Sequence, residues 1–145
     1  MQQKIHFECD YTEGAHPKIL KRLMETNMEQ TVGYGEDPYC QKAAELIRGF
    51  CKKGEVAVHF LVGGTQANLT VISALLRPHQ AAVCVETGHI NVHETGAIEA
   101  VGHKVISVPG KNGKLTAEDV ERVYRLHWED ATHEHMPQPK LVYIS

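Results

Sequence analysis

Residues 59–69 constrain the fold of this 145-residue chain more than any other stretch. They begin as a short apolar run, pass through Gly63, Gly64 and Thr65, and continue as a segment whose apolar residues recur at helical spacing. This order predicts a strand, a tight turn and a helix. A helix that begins after two glycines leaves backbone N–H groups unpaired at the positive end of its dipole. The turn therefore predicts an anion site suited to phosphate.

Two common phosphate motifs do not fit this turn. The glycines are not followed by Lys-Ser or Lys-Thr, as a P-loop requires, and the third glycine of the dinucleotide-binding pattern is missing. A simpler alternative stays open, in which Gly63 and Gly64 only make the turn and Thr65 only caps the helix.

Composition limits the partners of the chain. Apolar residues make up 42% and charged residues 23%, as in an ordinary globular domain, and the formal net charge is −3. Because basic residues are scattered among acidic ones, no surface for nucleic acid or for a membrane is predicted. The first residues lack the apolar core of a signal peptide, and no apolar run reaches the roughly 20 residues of a membrane helix. We therefore expect a cytoplasmic protein.

The cysteines and histidines do not predict a metal site. The four cysteines lack the spacing of a zinc site and fall in predicted strands or helices, which indicates reduced, mostly buried thiols. His89 and His93 lie one helical turn apart but lack the HExxH pattern. His133 and His135 flank a glutamate, yet no third ligand is indicated, and a solvated loop is the favoured interpretation.

Helical and strand patterns alternate along the chain. Strands are predicted at residues 4–10, 56–62, 81–85 and 104–108 and from 141 onward; helices at 17–27, 38–50, 65–76 and 91–101 and after a cap at Thr116 and Asp119; loops at 31–39 and 127–139. The alternation predicts an α/β fold in three layers, with a mostly parallel sheet and helices on both of its faces. The strand–helix–strand unit over residues 56–85 would place phosphate at the carboxyl end of its first strand.

Several short motifs follow one another along the chain. They are Cys9-Asp10-Tyr11-Thr12, Gly33-Tyr34-Gly35-Glu36-Asp37-Pro38, Gly64-Thr65-Gln66-Ala67-Asn68, Gly88-His89-Ile90 and His93-Glu94-Thr95-Gly96-Ala97. Together they resemble the threonine aldolase and β-eliminating lyase family of pyridoxal-phosphate enzymes. The resemblance runs from about residue 5 to the chain end.

The resemblance implies a site for pyridoxal 5'-phosphate around the glycine turn. In that family a Ser-Gly-Thr turn holds the cofactor phosphate, which corresponds here to Gly63, Gly64 and Thr65, with glycine in place of serine. The family histidine that stacks on the cofactor ring corresponds to His89. Its position also makes His89 a candidate proton acceptor, and so a catalytic residue.

The resemblance suggests roles for three further residues, and alternatives stay open for each. His135 corresponds to a second family histidine with a proposed part in catalysis, although His133 could align in its place. Tyr34 corresponds to a loop tyrosine that lines the active site or a subunit contact, or it is a loop aromatic anchored on the core. Glu94 is either a buried acid near His89 or an ordinary helix carboxylate.

The activity implied for the full protein is cleavage of a β-hydroxy-α-amino acid, such as threonine, to glycine and an aldehyde. The resemblance also implies a small amino acid as the substrate and a homodimer or homotetramer as the assembly. The alternative reaction is elimination from a related amino acid. Residues 1–40 would form an N-terminal segment with the active-site loop, and residues 41–145 the first part of the cofactor-binding domain.

The resemblance also implies groups that this chain lacks. The lysine that forms a Schiff base with the cofactor and the aspartate at its pyridine nitrogen are expected beyond Ser145, so the chain alone is expected to be inactive. A protein that natively ends here would instead be a phosphate-binding or dimerising module. A binder of a sugar nucleotide or an acyl phosphate could use the same turn.

Overall fold

The chain forms two compact units. The computed structural model describes residues 6, 9, 11–52 and 55–145. The first unit is Met1–Phe60 and the second is Leu61–Ser145. The strand predicted at residues 4–10 lies outside the described residues, apart from positions 6 and 9.

The first unit contains helix α1 (Pro17–Thr26) and helix α2 (Pro38–Phe50). Asp37 caps α2 by accepting hydrogen bonds from the N–H groups of Tyr39 and Cys40 at 3.0 and 2.9 Å. A proline in the first turn has no N–H to leave unpaired, which is why both helices begin where the sequence predicts. The domain division predicted at residue 40 falls inside α2 and stays a prediction, and the two compact units meet after Phe60.

The second unit is built on a parallel sheet. Its described strands are β1 (Gln80–Val85), β2 (Lys104–Val108) and β3 (Gln138–Val142), and β1 lies between the other two. Val83 of β1 pairs with Ile106 of β2 and with Val142 of β3. The strands predicted at 81–85 and 104–108 are confirmed, and the last strand begins earlier than predicted.

Helices cover both faces of this sheet. They are α3 (Gly64–Leu75), α4 (His89–Val92), α5 (Ala97–Ala100) and α6 (Ala117–Trp128). Successive side chains of a strand point to opposite faces. Ala82 and Cys84 therefore pack in one apolar cluster with α3, α4 and α5, while Val83 packs in another with Val123 of α6. The predicted three-layer α/β fold is confirmed.

The strand predicted at residues 56–62 is not formed. Residues 55–61 have no regular secondary structure, and the strands of the described sheet pair only with one another. An apolar run becomes a strand only when a neighbouring strand supplies its hydrogen bonds. The predicted strand–helix–strand unit therefore lacks its first strand, although its helix and second strand are present.

The single helix predicted at residues 91–101 is two short helices. Thr95 and Gly96 have φ angles of +50° and +78°, in the left-handed region that a right-handed helix cannot include. The chain therefore breaks between α4 and α5, although apolar residues recur at helical spacing across the break.

The loop predicted at residues 127–139 is partly ordered. It contains the end of α6, a 3₁₀ turn over His133–His135 and the start of β3. The predicted start of α6 is confirmed, because Asp119 N–H donates to Thr116 Oγ1 at 3.2 Å and Thr116 N–H donates to Asp119 Oδ2 at 3.1 Å.

Candidate active site

The carboxyl end of β1 leads directly into the candidate site. Gly88 follows β1 and is the residue before α4, whose first residue is His89. A Cβ at Gly88 would lie 2.9 Å from the carbonyl oxygen of Val85 and 3.2 Å from Sγ of Cys84. Glycine therefore allows the chain to turn against the end of β1. His89 follows at the edge of the sheet where ligands of α/β proteins bind.

His89 contacts a buried acid. Its Nδ1 lies 2.8 Å from Oε1 of Glu94. The His89 side chain is 49% exposed, whereas the Glu94 side chain is completely buried. Of the two interpretations left open for Glu94, the structure therefore shows a buried acid beside His89. The contact with Glu94 anchors one edge of the imidazole, and about half of the side-chain surface stays accessible.

Two further side chains complete a hydrogen-bonded network around Glu94. Asn68 Nδ2, on α3, donates to Glu94 Oε1 at 2.5 Å and to Tyr143 Oη at 3.2 Å. Tyr143 follows β3, so the network joins α3, the segment after β1 and the segment after β3. We call Asn68, His89, Glu94 and Tyr143 the Glu94 network.

The first turn of α3 has free backbone donors. Gly63 is the residue before the helix, and its carbonyl oxygen accepts the first hydrogen bond, from Ala67 N–H at 3.0 Å. No side chain caps this helix. Within the described residues, the N–H groups of positions 64–66 have no acceptor. Such groups at the positive end of a helix attract an anion.

Thr65 is not the cap of α3. It is the second helical residue and is exposed, so its hydroxyl lies beside the free donors rather than in a capping hydrogen bond. A Cβ at Gly63 or at Gly64 would meet no atom within 4 Å, so the turn faces open space. Both observations favour the anion site over the alternative in which Thr65 only caps the helix.

His135 lies at the other end of the sheet. It belongs to the 3₁₀ turn that precedes β3, whereas His89 follows β1, and the two strands are parallel. A strand of the length of β1, Gln80–Val85, rises about 17–20 Å. The structure therefore does not bring His135, or His133 in the same turn, to the site of His89.

Tyr34 lies in the first compact unit, in the loop before α2. Its φ angle is +63°, it is followed by Gly35 at +79°, and its side chain is fully exposed. The predicted loop is thus shaped by two successive left-handed residues. A role for Tyr34 in substrate binding or in a subunit contact stays a prediction.

Among the described residues there is no metal-binding cluster, a single buried cysteine and no membrane-spanning helix. No group of three or more potential ligands among them could hold a metal ion. All four cysteines are free, but only Cys84 is buried and Cys51 is exposed, so the expectation of mostly buried thiols is wrong. Burial raises the pKa of the Cys84 thiol, which keeps it protonated and unreactive. None of the helices in the part of the chain that the structure covers could cross a bilayer.

Sequence reasoning assigned no role to Asn68 or Tyr143. A signal for Asn68 was present, since the buried residues Ile72, on α3, and Leu76, directly after α3, follow it at successive intervals of four. A polar residue on the inward face of an apolar helix requires a buried partner. Tyr143 gave no comparable signal, because its contact with Asn68 depends on the sheet topology.

The chain belongs to the β-eliminating lyase family, whose model matches residues 7–145. It is similar to a low specificity L-threonine aldolase of Pseudomonas sp. (strain NCIMB 10558), with 29% identity over 99% of this chain and 40% of that protein. A second low specificity L-threonine aldolase, from Pseudomonas aeruginosa, is 28% identical over 96% of this chain and 39% of its own length. The chain thus spans about two fifths of the curated relatives it matches.

A solved structure gives the same fold. The threonine aldolase of Leishmania major is similar with a TM-score of 0.86 and 48% sequence identity, over 92% of this chain and 38% of that chain. The described sheet and its helices therefore have the α/β fold of the part of that structure which they match.

Proposed function

We propose that the full protein containing this chain is a pyridoxal-phosphate-dependent lyase of the threonine aldolase type. Its substrate would be a β-hydroxy-α-amino acid, cleaved between Cα and Cβ to glycine and an aldehyde. The main supporting observation is the half-exposed His89 at the carboxyl end of β1, linked through Glu94 and Asn68 to the helix whose first turn is uncapped. The relatives named as threonine aldolases support the same activity.

Pyridoxal phosphate fits the groups that are present. The free N–H groups at the start of α3 and the Thr65 hydroxyl suit a phosphate, and the open space at Gly63 and Gly64 leaves room for it. The exposed imidazole of His89 offers a flat surface for a planar ring. When bound, the cofactor supplies an electron sink for the electron pair that remains on Cα after cleavage.

Residues of this chain would bind the cofactor, orient its ring and accept a proton during the reaction. The first turn of α3 would fix one end of the cofactor through its phosphate, and His89 would fix the position of the ring. The Nε2 of His89, the ring nitrogen that does not contact Glu94, would be the proton acceptor. We assign no role at this site to His135, because it lies at the opposite edge of the sheet.

Product analysis tests the proposal. The full-length protein, loaded with pyridoxal phosphate, is incubated with each enantiomer of threonine. We expect glycine and acetaldehyde in equal amounts, measured by amino-acid analysis and by reduction of the aldehyde with an alcohol dehydrogenase and NADH. Ammonia and a keto acid in place of glycine would assign the elimination activity instead. If the loaded protein forms neither glycine with acetaldehyde nor ammonia with a keto acid, the proposal is overturned.

Alanine variants test which histidine acts. We expect His89→Ala to lower kcat at least about 100-fold and to change the absorption spectrum of the bound cofactor. His79→Ala, an exposed control before β1, should retain both. His135→Ala tests the second histidine of the sequence prediction, because a loss equal to that of His89→Ala would support a catalytic role for it.

Three finer proposals accompany this function. We propose a homodimer or homotetramer, with the exposed Tyr34 loop as a candidate subunit contact. We also propose a cytoplasmic location, which the four free thiols support because that compartment keeps thiols reduced. A small amino acid remains the proposed partner at the site, on the strength of the relatives' names.

A further inference from the structure

Glu94 makes both of its polar contacts through one oxygen. Oε1 accepts a hydrogen bond from Asn68 and lies 2.8 Å from His89 Nδ1, whereas Oε2 is buried and has no partner among the described residues. Buried acids in proteins usually have both oxygens hydrogen-bonded. Asn68 therefore binds the same Glu94 oxygen that contacts His89, and so fixes the position of that oxygen beside the imidazole.

The orientation of Asn68 is fixed by its own contacts. Its amide nitrogen has two hydrogens, and both are used, one toward Glu94 and one toward Tyr143. Asn68 also lies one helical turn after the uncapped start of α3. It therefore ties the position of Glu94 to the helix proposed to bind phosphate.

The contact with Glu94 determines which nitrogen of His89 carries the proton. An ionised carboxylate only accepts hydrogen bonds, so beside the ionised form of Glu94 the Nδ1 of His89 is the donor in this pair. In the neutral ring, the lone pair is then on Nε2, and the exposed part of the side chain is free to present it. When Nε2 takes up a proton, the Nδ1–H bond to Glu94 persists and the carboxylate stabilises the cationic ring.

We propose that Asn68 and Glu94 are positioning residues that hold His89 as its Nδ1–H tautomer with Nε2 directed to the open side of the site. The catalytic consequence rests on the function proposed above, whereas the tautomer and the orientation of the ring do not. Neither residue contacts the reacting atoms in this scheme. Their effect reaches the reaction through His89.

Three variants of the full-length protein separate the hydrogen bond from other effects. Glu94→Leu removes the hydrogen-bond acceptor and places an apolar side chain of similar size in the buried position. Glu94→Gln keeps a carbonyl oxygen that can accept from both Asn68 and His89. Glu118→Leu, at an exposed glutamate on α6, is the matched control for a change from glutamate to leucine.

The first measurement needs neither cofactor nor activity. Diethyl pyrocarbonate acylates unprotonated imidazole nitrogens, and tandem mass spectrometry of the peptide containing His89 counts the acyl groups on its ring. In the cofactor-free wild-type protein, in Glu94→Gln and in Glu118→Leu, we expect one group on His89, because Nδ1 is blocked. In Glu94→Leu we expect a doubly acylated ring, while acylation of the exposed His135 stays the same in all four proteins.

The second measurement uses the loaded enzyme. We expect Glu94→Leu to lower kcat at least about tenfold with a smaller change in KM, and Glu94→Gln to restore most of the lost kcat. If Glu94→Leu does not fold, Asn68→Ala replaces it. We expect that variant to release Glu94 and also to give the doubly acylated ring.

The outcomes distinguish this inference from the proposed function. A wild-type protein that forms no glycine from threonine contradicts the function and leaves the acylation pattern as the test of positioning. Active enzyme with a singly acylated His89 in both Glu94→Leu and Asn68→Ala would overturn the positioning role. A Glu94→Gln variant that behaves like Glu94→Leu in both measurements would also overturn it.

Discussion

A single missing methyl group at Gly88 decides how the chain leaves β1. A Cβ there would lie 2.9 Å from the carbonyl oxygen of Val85, which belongs to the backbone and cannot rotate away. We expect Gly88→Ala to lower the free energy of unfolding by about 1–3 kcal/mol, because added atoms in a packed position force the backbone to shift. Denaturant unfolding followed by circular dichroism measures the change.

Gly49 provides the control for that substitution. It lies inside α2, and a Cβ there would meet nothing within 4 Å. Gly49→Ala should leave stability unchanged or raise it by up to about 1 kcal/mol, because alanine favours a helix more than glycine does. Equal stability of the two variants would show that the space around Gly88 does not limit its side chain.

The hydroxyl of Thr65 is available for a ligand rather than for its own helix. We expect Thr65→Ala to weaken binding of pyridoxal phosphate by about 1–2 kcal/mol, the value of one hydrogen bond to a charged group. Titration of the full-length protein with the cofactor, followed by absorbance, gives the dissociation constant. Thr70→Ala, an exposed threonine on the same helix, should bind as the wild type does. Unchanged affinity in Thr65→Ala would mean that the hydroxyl does not contact the phosphate.

Among the helices, α6 has a start that responds to pH. Hydrogen bonds from the Thr116 side chain, and then from Arg122, lower the pKa of the Asp119 carboxyl from its ordinary value of 3.8. A carboxyl whose pKa is lower in the folded state stabilises the fold above its unfolded-state pKa. That stabilisation is lost as the pH falls through the folded-state value.

We therefore expect Thr116→Ala to destabilise the protein by about 1 kcal/mol near neutral pH, because the helix loses its cap. The difference from the wild type should begin to shrink near pH 3.8, where Asp119 of the unfolded chain takes up a proton, and shrink further as the pH falls through the lower folded-state pKa. Denaturation midpoints from pH 7 to pH 3 measure it, with Ser73→Ala on α3 as the control. A difference that stays constant over this range would contradict the role of Asp119.

The elements that sequence reasoning predicted well are those fixed by local chemistry. The starts of α2 and α6 depend on caps within a few residues, and β1 and β2 are short apolar runs between clear turns. The strand at 56–62 and the helix at 91–101 failed for a different reason. A strand depends on a neighbour, and the break at Gly96 depends on two left-handed residues that the apolar spacing does not reveal.

At the scale of the whole second unit, the site depends on contacts between distant parts of the chain. Asn68 meets Glu94 across 26 positions and Tyr143 across 75. Motifs along the chain identified the glycine turn and His89, but not the network that joins them. For His135, the sequence did not show the distance from His89. His135 precedes β3, and because β3 runs parallel to β1, it lies at the end of the sheet opposite to His89.

The glycines of the second unit differ in what an added side chain would meet. Gly88 and Gly110 enclose Val85 at the end of β1, and a Cβ at Gly110 would lie 2.1 Å from a methyl group of that valine. Folding alone would reject side chains at both positions. Gly63 and Gly64 face open space, so the fold itself would tolerate a larger residue there. Substitutions at Gly63 or Gly64 would therefore change the anion site while the contacts of the described fold stay intact.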